Sequence, residues 1–443
     1  MKKYTHAWLA MMAMKRIEKA TIPDKQKPDA VTLIKWFKDY RDFVISGSWY
    51  PDAVFKDMGT SHIYKYVPDP SSKTCTFRKM PNTLRMYAER EKSDLYGKPY
   101  RIDSGNLCDR CEAFTESLID SFKILYSESE GSPIVPSCNH IAMRFFILSH
   151  YIADCHMPLH CDKRSLSSVH AGIEEDWDEE VRQSYAIDEP NNRFFYDPEG
   201  YPLHKNVTPM IKDIEEELES REFYWAWGPD CGNTWEYMDG ISEYSYLMAE
   251  RLVPRSLGDE KTLTKEAYRA SDVYKEHFQE YSKIILMDAI ESIAKVWLHA
   301  WVRYRVWWRT CEETRMKAEN DKAESNLNKA KAIIKDHPVL ILEQSSKIAE
   351  NQAKLDEKVA DLAEKDGTAN PEKKGTAKQI AAAQKAVEKA QAKLDESVEK
   401  LDTLQKELDN AKASEEGLLY LSVAAQIQYD QLLQDHAKYA KEG

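Results

Sequence analysis

The sequence predicts an all-α protein in which a multi-helix domain is followed by a long antiparallel coiled-coil hairpin. Three observations support this fold class. Apolar residues recur at helical spacing through about the first 310 residues, aromatic residues become rare beyond them, and two apolar runs with seven-residue spacing follow. We expect a helical domain over residues 1–312, a helical hairpin over 313–413, and a C-terminal helix over 414–443 that packs back or on a partner.

Helical patterning in the first domain defines several elements. Residues 29–46 carry apolar side chains on one side and stop before Gly47, which suits a left-handed helix cap. Further helices are expected over residues 107–126 and 139–156. An aromatic stripe at helical spacing follows near the domain end, formed by Trp297, Trp301, Tyr304 and Trp308. Such a stripe is usually core, and we expect it to be core here.

Two heptad runs predict the hairpin. Their main apolar positions are Leu327, Ile334, Ile341, Ile348, Leu355 and Leu362 in the first run, and Ile380, Val387, Leu394, Leu401 and Leu408 in the second. The turn-rich segment 366–375 lies between them, so the helices should pair antiparallel with a tip near residue 370. Pro338 is expected to kink the first helix. Heptad spacing predicts that a helix pairs but not with which helix, so a solvated spacer and an oligomerisation or partner-docking arm stay equal alternatives.

Length, charge and composition limit the class of protein. With 443 residues and 42% hydrophobic content, the chain can bury a substantial core. It has no long uncharged apolar run, which predicts no transmembrane helix, and no signal-peptide pattern. A formal charge of −13 argues against a broadly basic nucleic-acid surface. We expect a cytoplasmic protein, with membrane association as an alternative.

The eight cysteines are scattered along the chain, which is more typical of reduced thiols than of a disulfide framework. Cys108 and Cys111 have the spacing of half a zinc finger. Together with Cys75 and Cys138 they form an alternative, a small structural zinc site. We favour reduced thiols.

The most informative segment runs from His150 to His160. His150 and Asp154 are one helical turn apart and therefore project from the same face of a helix. Pro158 ends that helix, and the turn brings His160 back toward the same point. So many metal-ligand side chains within one short segment favour a metal site over a structural role.

Other ligand-type residues are spread over the first domain. They are His6 at the start of a helix, Asp52 after a helix end, His62, and the pair His170 and Glu174, spaced by four on a helix. Imidazoles and carboxylates together suit zinc, and more than four such ligands indicate more than one ion. Zinc ions that share a carboxylate lower the pKa of a bridging water and neutralise phosphoryl charge, which favours phosphate-ester hydrolysis.

The ordered set of these segments resembles the zinc-dependent phospholipase C and S1/P1 nuclease superfamily over about the first 300 residues. The segments are Thr5-His6-Ala-Trp8, Tyr50-Pro-Asp52, Ser61-His62, His150-x-x-x-Asp154-x5-His160 and His170-x-x-x-Glu174. The resemblance implies a mainly α-helical domain with a trinuclear zinc site in a cleft, hydrolysing phosphodiesters.

The resemblance also implies a ligand assignment. One zinc would be held by Asp52, His62, His150 and Asp154, a second by His160, His170 and Glu174, and a third by His6 with a second contact from Asp154. Asp52 could double as a general base. In the family a processed N-terminal Trp completes the third site. Here Met1 precedes His6, so either its amine takes that role or the third zinc is weak or absent.

Glu174 is typical of the phospholipase branch, whereas the nuclease branch generally has Asp at this position. Phospholipase C activity therefore ranks first, with a zinc-bridging hydroxide that attacks phosphorus. The alternatives are a single-strand nuclease or nucleotidase, and a non-catalytic metal-stabilised scaffold that acts through the coiled coil. The expected partners are a phospholipid or other phosphodiester, a membrane surface, nucleic acid as the alternative substrate, and a second copy or another protein on the hairpin.

Several nearby residues are expected to have structural roles. His156 lies inside the motif but off the ligand face, so it should be structural or support the ligands. Asp176, Asp178 and Glu179 should form a solvated acidic face, unless one of them orients His170.

Overall fold

The computed structural model is mainly α-helical, in agreement with the all-α class. The residues that it describes are 1–22, 27–57, 59–72, 98–127, 133–222, 225, 227, 231–259 and 261–440. The chain divides into two compact units, one formed by Met1–Arg309 and one formed by Thr310–Ala437. Within the described part of the chain, no helix combines the length and the apolar content that crossing a membrane requires.

Within the described residues, short and medium-length helices and two small antiparallel sheets build the first unit. Its helices are α1 (Lys3–Glu18), α2 (Lys27–Tyr40), α3 (Val44–Tyr50), α4 (Leu107–Ser127), α5 (Cys138–His156), α6 (Pro158–Cys161), α7 (Ser167–Ser184), α8 (Pro209–Ser220), α9 (Thr234–Leu252) and α10 (Lys265–Ala270). The strands are β1 (Lys65–Pro68), paired with β2 (Tyr100–Ser104), and β3 (Ile187–Asp188), paired with β4 (Arg193–Phe194). A long helix, α11 (Asp272–Asp366), begins in this unit and continues into the second.

Helix α5 carries two of the predicted metal ligands, His150 and Asp154. The Ser137 side chain accepts the His140 amide hydrogen and caps its start, and Met157, just before Pro158, adopts the extended conformation (φ −74°, ψ 109°) that ends it. The predicted helices over 107–126 and 139–156 are confirmed as α4 and α5. All residues from Phe145 to His156 are buried, so the polar side chains of this stretch need partners or ligands.

The predicted single helix over residues 29–46 is wrong in one respect. The chain forms α2 and α3 with a 3-10 turn, Arg41–Phe43, between them. Gly47 lies inside α3 and does not cap it. A Cβ at Gly47 would lie 2.6 Å from the Cβ of Phe146, so the glycine lets α3 approach α5 closely. Helical periodicity cannot reveal such a contact between helices.

The aromatic stripe at the end of the first unit is core, as predicted. Trp297, Trp301 and Tyr304 are buried, and Trp308 packs partly buried against the same cluster. The indole N–H of Trp297 donates to the carbonyl of Phe145 at 3.1 Å, which satisfies its buried polar group.

The second unit is an antiparallel hairpin of α11 and α12 (Ala377–Ala440). Hydrogen bonds join Asn320 to Gln426 and Gln344 to the Ser397 carbonyl. A later residue of α11 thus pairs with an earlier residue of α12, which shows that the two helices are antiparallel. The buried apolar residues of the interface are Leu327, Ala330, Leu355, Ala383, Leu394, Leu408 and Ala411. Helix α11 continues through Pro338, and α12 is one helix across residue 414.

Candidate metal centre

The eight residues predicted as metal ligands lie together in the first unit, on five parts of the chain. They are His6 on α1, Asp52 on the π-helical turn Pro51–Phe55, His62 on the turn before β1, His150, Asp154 and His160 on α5 and α6, and His170 and Glu174 on α7. Three groups have ligand atoms within 4.8 Å of one another: His6 with Asp52 and His150, His62 with His150 and Asp154, and His160 with His170 and Glu174.

Asp154 is the centre of this arrangement and is 1% exposed. Its Oδ1 lies 3.4 Å from His6 Nε2 and 3.6 Å from His160 Nδ1. Its Oδ2 lies 2.9 Å from His62 Nδ1 and 3.1 Å from His150 Nε2. Each carboxylate oxygen therefore faces its own pair of imidazoles, as a carboxylate that bridges two cations would.

Three candidate ligand atoms of one zinc, from His62, His150 and Asp154, lie close together, and a fourth, from Asp52, lies near the two histidines. His62 Nδ1 and His150 Nε2 are 3.1 Å apart, and both lie about equally close to Asp154 Oδ2. Asp52 Oδ1 lies 3.4 Å from His62 Nδ1 and 3.6 Å from His150 Nε2. Zinc–ligand bonds of about 2.0–2.1 Å place tetrahedral ligand atoms roughly 3.3 Å apart. These separations fit a zinc ion.

Acceptors outside the group fix the ring orientation of two histidines. The Nδ1 of His150 lies 2.6 Å from the Ser48 carbonyl oxygen, and the Nε2 of His62 lies 2.7 Å from Asp57 Oδ1. Both acceptors lack hydrogens, so the histidine nitrogens must donate. The other ring nitrogen of each histidine faces the ligand group, with its lone pair free for a metal when the ring is neutral.

Backbone contacts place the His62 turn beside α6. The amide of Tyr64 donates to the carbonyl of His160 at 3.1 Å, and Tyr66 on β1 forms a parallel bridge with Asp162. The strand thus runs beside the chain that follows α5, which brings His62 close to Asp154.

The second group contains His160, His170 and Glu174. Glu174 Oε1 lies 2.9 Å from His170 Nε2 and 3.7 Å from His160 Nε2. Burial lowers the pKa of His160 to about 3, so its ring is neutral at neutral pH. The His170 side chain is 28% exposed, and through it the group reaches solvent.

Several buried atoms here have no hydrogen-bond partner, which is unusual for polar groups in a protein interior. They are both ring nitrogens of His6, Asp52 Oδ1 and His160 Nδ1. Burial and the neighbouring His150 hold the pKa of His6 well below its usual range, so this ring too is neutral. Imidazole nitrogens and carboxylate oxygens without hydrogen-bond partners are the kinds of atom that bind zinc.

The Met1 amine also lies in this cluster, 3.0 Å from Asp154 Oδ1 and 2.7 Å from Glu174 Oε1. Burial alone would lower its pKa, but the two carboxylates raise the pKa of this amine to about 11. It is therefore charged at neutral pH, and an ammonium group has no lone pair for a metal. The amine occupies the space between carboxylates that the resemblance assigns to different zinc ions.

The sequence did not reveal two supporting carboxylates. Asp57 receives the hydrogen bond of His62, and no pattern in the sequence marks it. Asp178 accepts the backbone amides of Tyr4 and Thr5 at 2.8 and 3.0 Å and so anchors the start of α1, which carries His6. Its position one turn after Glu174 on α7 was the available signal.

The prediction of a solvated acidic face is therefore wrong for Asp178, because α1 packs over it. Asp176 pairs with Arg269 and accepts the Tyr274 hydroxyl at 2.8 Å. In the described part of the chain, neither carboxylate is within hydrogen-bond reach of His170.

His156 is buried, and neither ring nitrogen has a hydrogen-bond partner. Burial lowers its pKa to about 3, which keeps the ring neutral. It belongs to none of the three ligand groups found in the described residues.

Seven cysteines fall within the described residues, and none of them forms a disulfide with another of the seven. Cys108 and Cys111 are buried on α4, and Cys138 starts α5. None of them joins a metal-ligand group in that part of the chain. Cys75, the fourth member of the alternative zinc site, lies outside the described residues.

No protein-family model matches the chain, and a comparison with curated proteins finds no similar sequence. The family resemblance therefore rests on the motif residues.

Proposed function

We propose that the protein is a zinc-dependent phosphodiester hydrolase, most similar in activity to phospholipase C. The observation that carries the proposal is the position of Asp154, with its two oxygens 2.9–3.6 Å from nitrogens of His6, His62, His150 and His160. A buried carboxylate surrounded by four imidazoles is costly without cations and is well suited to join two of them.

Bound zinc ions would supply hydroxide from water near neutral pH and offset the charge that develops on the phosphoryl oxygens. The protein's own contribution is to hold the donors in fixed positions. His62 and His150 are oriented by Asp57 and Ser48, while Asp154 faces both sides of the cluster. Little reorganisation is then needed when the phosphodiester binds.

Asp52 is the proposed general base. Burial raises the pKa of its carboxyl, partly offset by His150, so it accepts a proton more readily than an exposed aspartate. It lies next to the histidines that would hold the ions, within 3.4 Å of His62 Nδ1. From this place it can take the proton of the attacking water.

Tyr50, Val54 and Phe55 form an exposed apolar rim next to Asp52 in the chain, and its composition bears on the choice between lipid and other phosphodiesters. The same π-helical turn that carries Asp52 exposes Val54, which is 56% exposed, and Phe55, and Tyr50 precedes it. An aliphatic side chain at this place favours contact with acyl chains or a membrane surface. The ring of Phe55, 6.2 Å from that of Tyr50, favours the nuclease alternative, because nucleic-acid bases stack on aromatic rings.

Parallel assays separate the three classes of function. Zinc-loaded protein is assayed on phospholipid vesicles, single-stranded DNA and RNA, and a chromogenic phosphodiester. We expect hydrolysis of the diester and the vesicles, and both activities should disappear in Asp154→Asn. Turnover of nucleic acid with intact vesicles would favour the nuclease, and full zinc loading without any turnover would favour the scaffold.

Rim variants sharpen the choice of substrate. Val54→Ser removes aliphatic surface but no aromatic ring, whereas Phe55→Leu removes the ring but keeps apolar surface. A lipase should lose vesicle hydrolysis mainly with Val54→Ser and keep activity on the soluble diester. The matched control is Leu203→Ser, because Leu203 is an aliphatic residue that is 41% exposed and belongs to none of the ligand-bearing segments.

A further inference from the structure

We infer that Asp57 is a positioning residue of the metal centre that holds His62 with its proton on Nε2 and directs Nδ1 at the metal. The inference rests on the metal site of the proposed function but not on its substrate. The sequence resemblance assigns no role to Asp57.

Both oxygens of Asp57 have partners. Its Oδ1 accepts from His62 Nε2 at 2.7 Å, and its Oδ2 accepts from the Tyr151 hydroxyl at 3.0 Å and lies 3.4 Å from an Arg110 guanidinium nitrogen. The side chain is only 23% exposed. Two hydrogen-bond donors and one guanidinium group, from three parts of the first unit, thus fix one carboxylate.

The supporting residues are themselves held in place. Tyr151 follows His150 on α5, and its ring packs edge-on against His62 with centroids 5.2 Å apart. The guanidinium of Arg110, on α4, lies 5.4 Å from the centroid of the same tyrosine ring. Asp57 is therefore part of a packed layer behind His62, on the side away from Asp154.

This layer decides which histidine nitrogen can bind a metal. A carboxylate only accepts hydrogen bonds, so His62 must carry a hydrogen on Nε2. When the ring is neutral, its Nδ1 then has the lone pair, and this atom lies 2.9 Å from Asp154 Oδ2 and 3.1 Å from His150 Nε2. A negative acceptor also makes the imidazole a better donor to the metal.

Of the two acceptors that orient the ligand histidines, Asp57 is the one that a side-chain substitution can remove. The corresponding acceptor for His150 is the backbone carbonyl of Ser48, which no side-chain substitution removes. Asp57 can be changed stepwise. Asp57→Asn keeps an acceptor oxygen and loses the charge, and Asp57→Ala loses both.

The first unit offers a matched control in Glu215. Its carboxylate accepts the Tyr185 hydroxyl at 2.7 Å and lies 2.9 Å from Nε2 of His204, so it also joins a tyrosine and a histidine. His204 belongs to none of the ligand groups in the described residues. Glu215→Ala therefore measures how the loss of a carboxylate that joins a tyrosine and a histidine changes zinc affinity when that histidine is not a candidate metal ligand.

The test uses the full-length protein and zinc alone. Zinc affinity is measured by competition with a chromophoric chelator, and the His62 tautomer by ring 15N shifts of the zinc-loaded protein, assigned with His62→Gln. We expect Asp57→Ala to lower the affinity for one zinc ion by roughly 10- to 100-fold. The affinity of Asp57→Asn should lie between those of Asp57→Ala and the wild type, and Glu215→Ala should change the affinity little. In Asp57→Ala the 15N signature of an Nε2-protonated, Nδ1-bound ring should be lost.

Wild-type affinity and ring shifts in Asp57→Ala would overturn the inference, as would an equal loss in Glu215→Ala. If Asp57→Ala does not fold, Asp57→Asn decides, because it preserves shape and an acceptor. Zinc binding to the wild type without hydrolysis would refute the hydrolase and leave this inference standing. A wild-type protein that binds no zinc would overturn both.

Discussion

The imidazole of His6 lies flat on that of His150, with ring centroids 3.8 Å apart and planes inclined by 22°. Two protonated rings would repel each other at this distance, so the stack requires at least one neutral ring. Burial and His150 keep His6 neutral by lowering its pKa well below the usual range. Neutral imidazole is the form that binds a metal, so in the folded protein His6 is already in the protonation state that metal binding requires.

The shared position of His150 predicts unequal losses of metal among the ligand variants. His150 belongs to two of the three ligand groups, whereas His170 belongs to one. His150→Ala should therefore reduce the zinc bound per chain more than His170→Ala does, as measured by elemental analysis after dialysis. Equal losses in the two variants would contradict the shared geometry.

Asp178 should stabilise the fold through the start of α1. The variant Asp178→Ala leaves the amides of Tyr4 and Thr5 without their acceptor, which should cost about 1–2 kcal/mol in the free energy of unfolding. Urea denaturation of the metal-free protein measures this change. Glu179, which is exposed, is the control, and Glu179→Ala should stay within about 0.5 kcal/mol of the wild type. Similar values for both variants would refute the anchoring role.

Two glycines should respond in opposite directions to the same substitution. Gly47→Ala puts a Cβ 2.6 Å from Phe146 Cβ, so we expect a loss of about 1–3 kcal/mol. Gly417 lies inside α12 with no atom within 4 Å of an added Cβ, so Gly417→Ala should stabilise that helix by about 0.5–1 kcal/mol. Denaturation followed by circular dichroism would show both shifts, and a neutral Gly47→Ala would contradict the close packing of α3 on α5.

Zinc affinity should fall as the pH falls through the pKa of His62. Burial alone would lower that pKa, but the carboxylates of Asp154 and Asp52 raise it above 6.5. Zinc must displace this proton, so below the raised pKa the affinity should drop by up to about tenfold per pH unit. Chelator competition between about pH 8 and pH 6 tests this, and a flat profile would contradict it.

The same shift has a consequence for the metal-free protein. His62 has a raised pKa when folded, so it contributes stability that is fully present below 6.5 and is lost as the pH rises through the raised value. Within this window, the free energy of unfolding without zinc should decline more in the wild type than in His62→Gln. Parallel profiles for the two proteins would refute the contribution.

Local spacing was sufficient to predict several parts of this structure. His150 and Asp154 share a helix face because they are four residues apart, and Pro158 forces the break after which His160 returns. Buried aromatic residues near Trp297 and the turn between the long helices also follow from local pattern. These features depend on residues close together in the chain.

Contacts between distant segments could not be read in this way. The role of Gly47 depends on Phe146, that of Asp178 on the start of α1, and that of Asp57 on the ring of His62. In each case the partner is far away in the sequence or is specified only by the turn geometry. Side-chain periodicity contains no information about which surfaces meet.

Zinc quantification on the purified protein decides whether Asp154 organises a centre of more than one zinc ion. The protein is incubated with zinc, freed of excess metal and analysed for zinc per chain, in parallel with Asp154→Asn. We predict roughly two to three bound zinc ions in the wild type and a loss of most of them in the variant, because Asp154 faces four histidines. A wild-type protein that retains less than about one zinc per chain, or a variant that retains all of it, would contradict the metal centre.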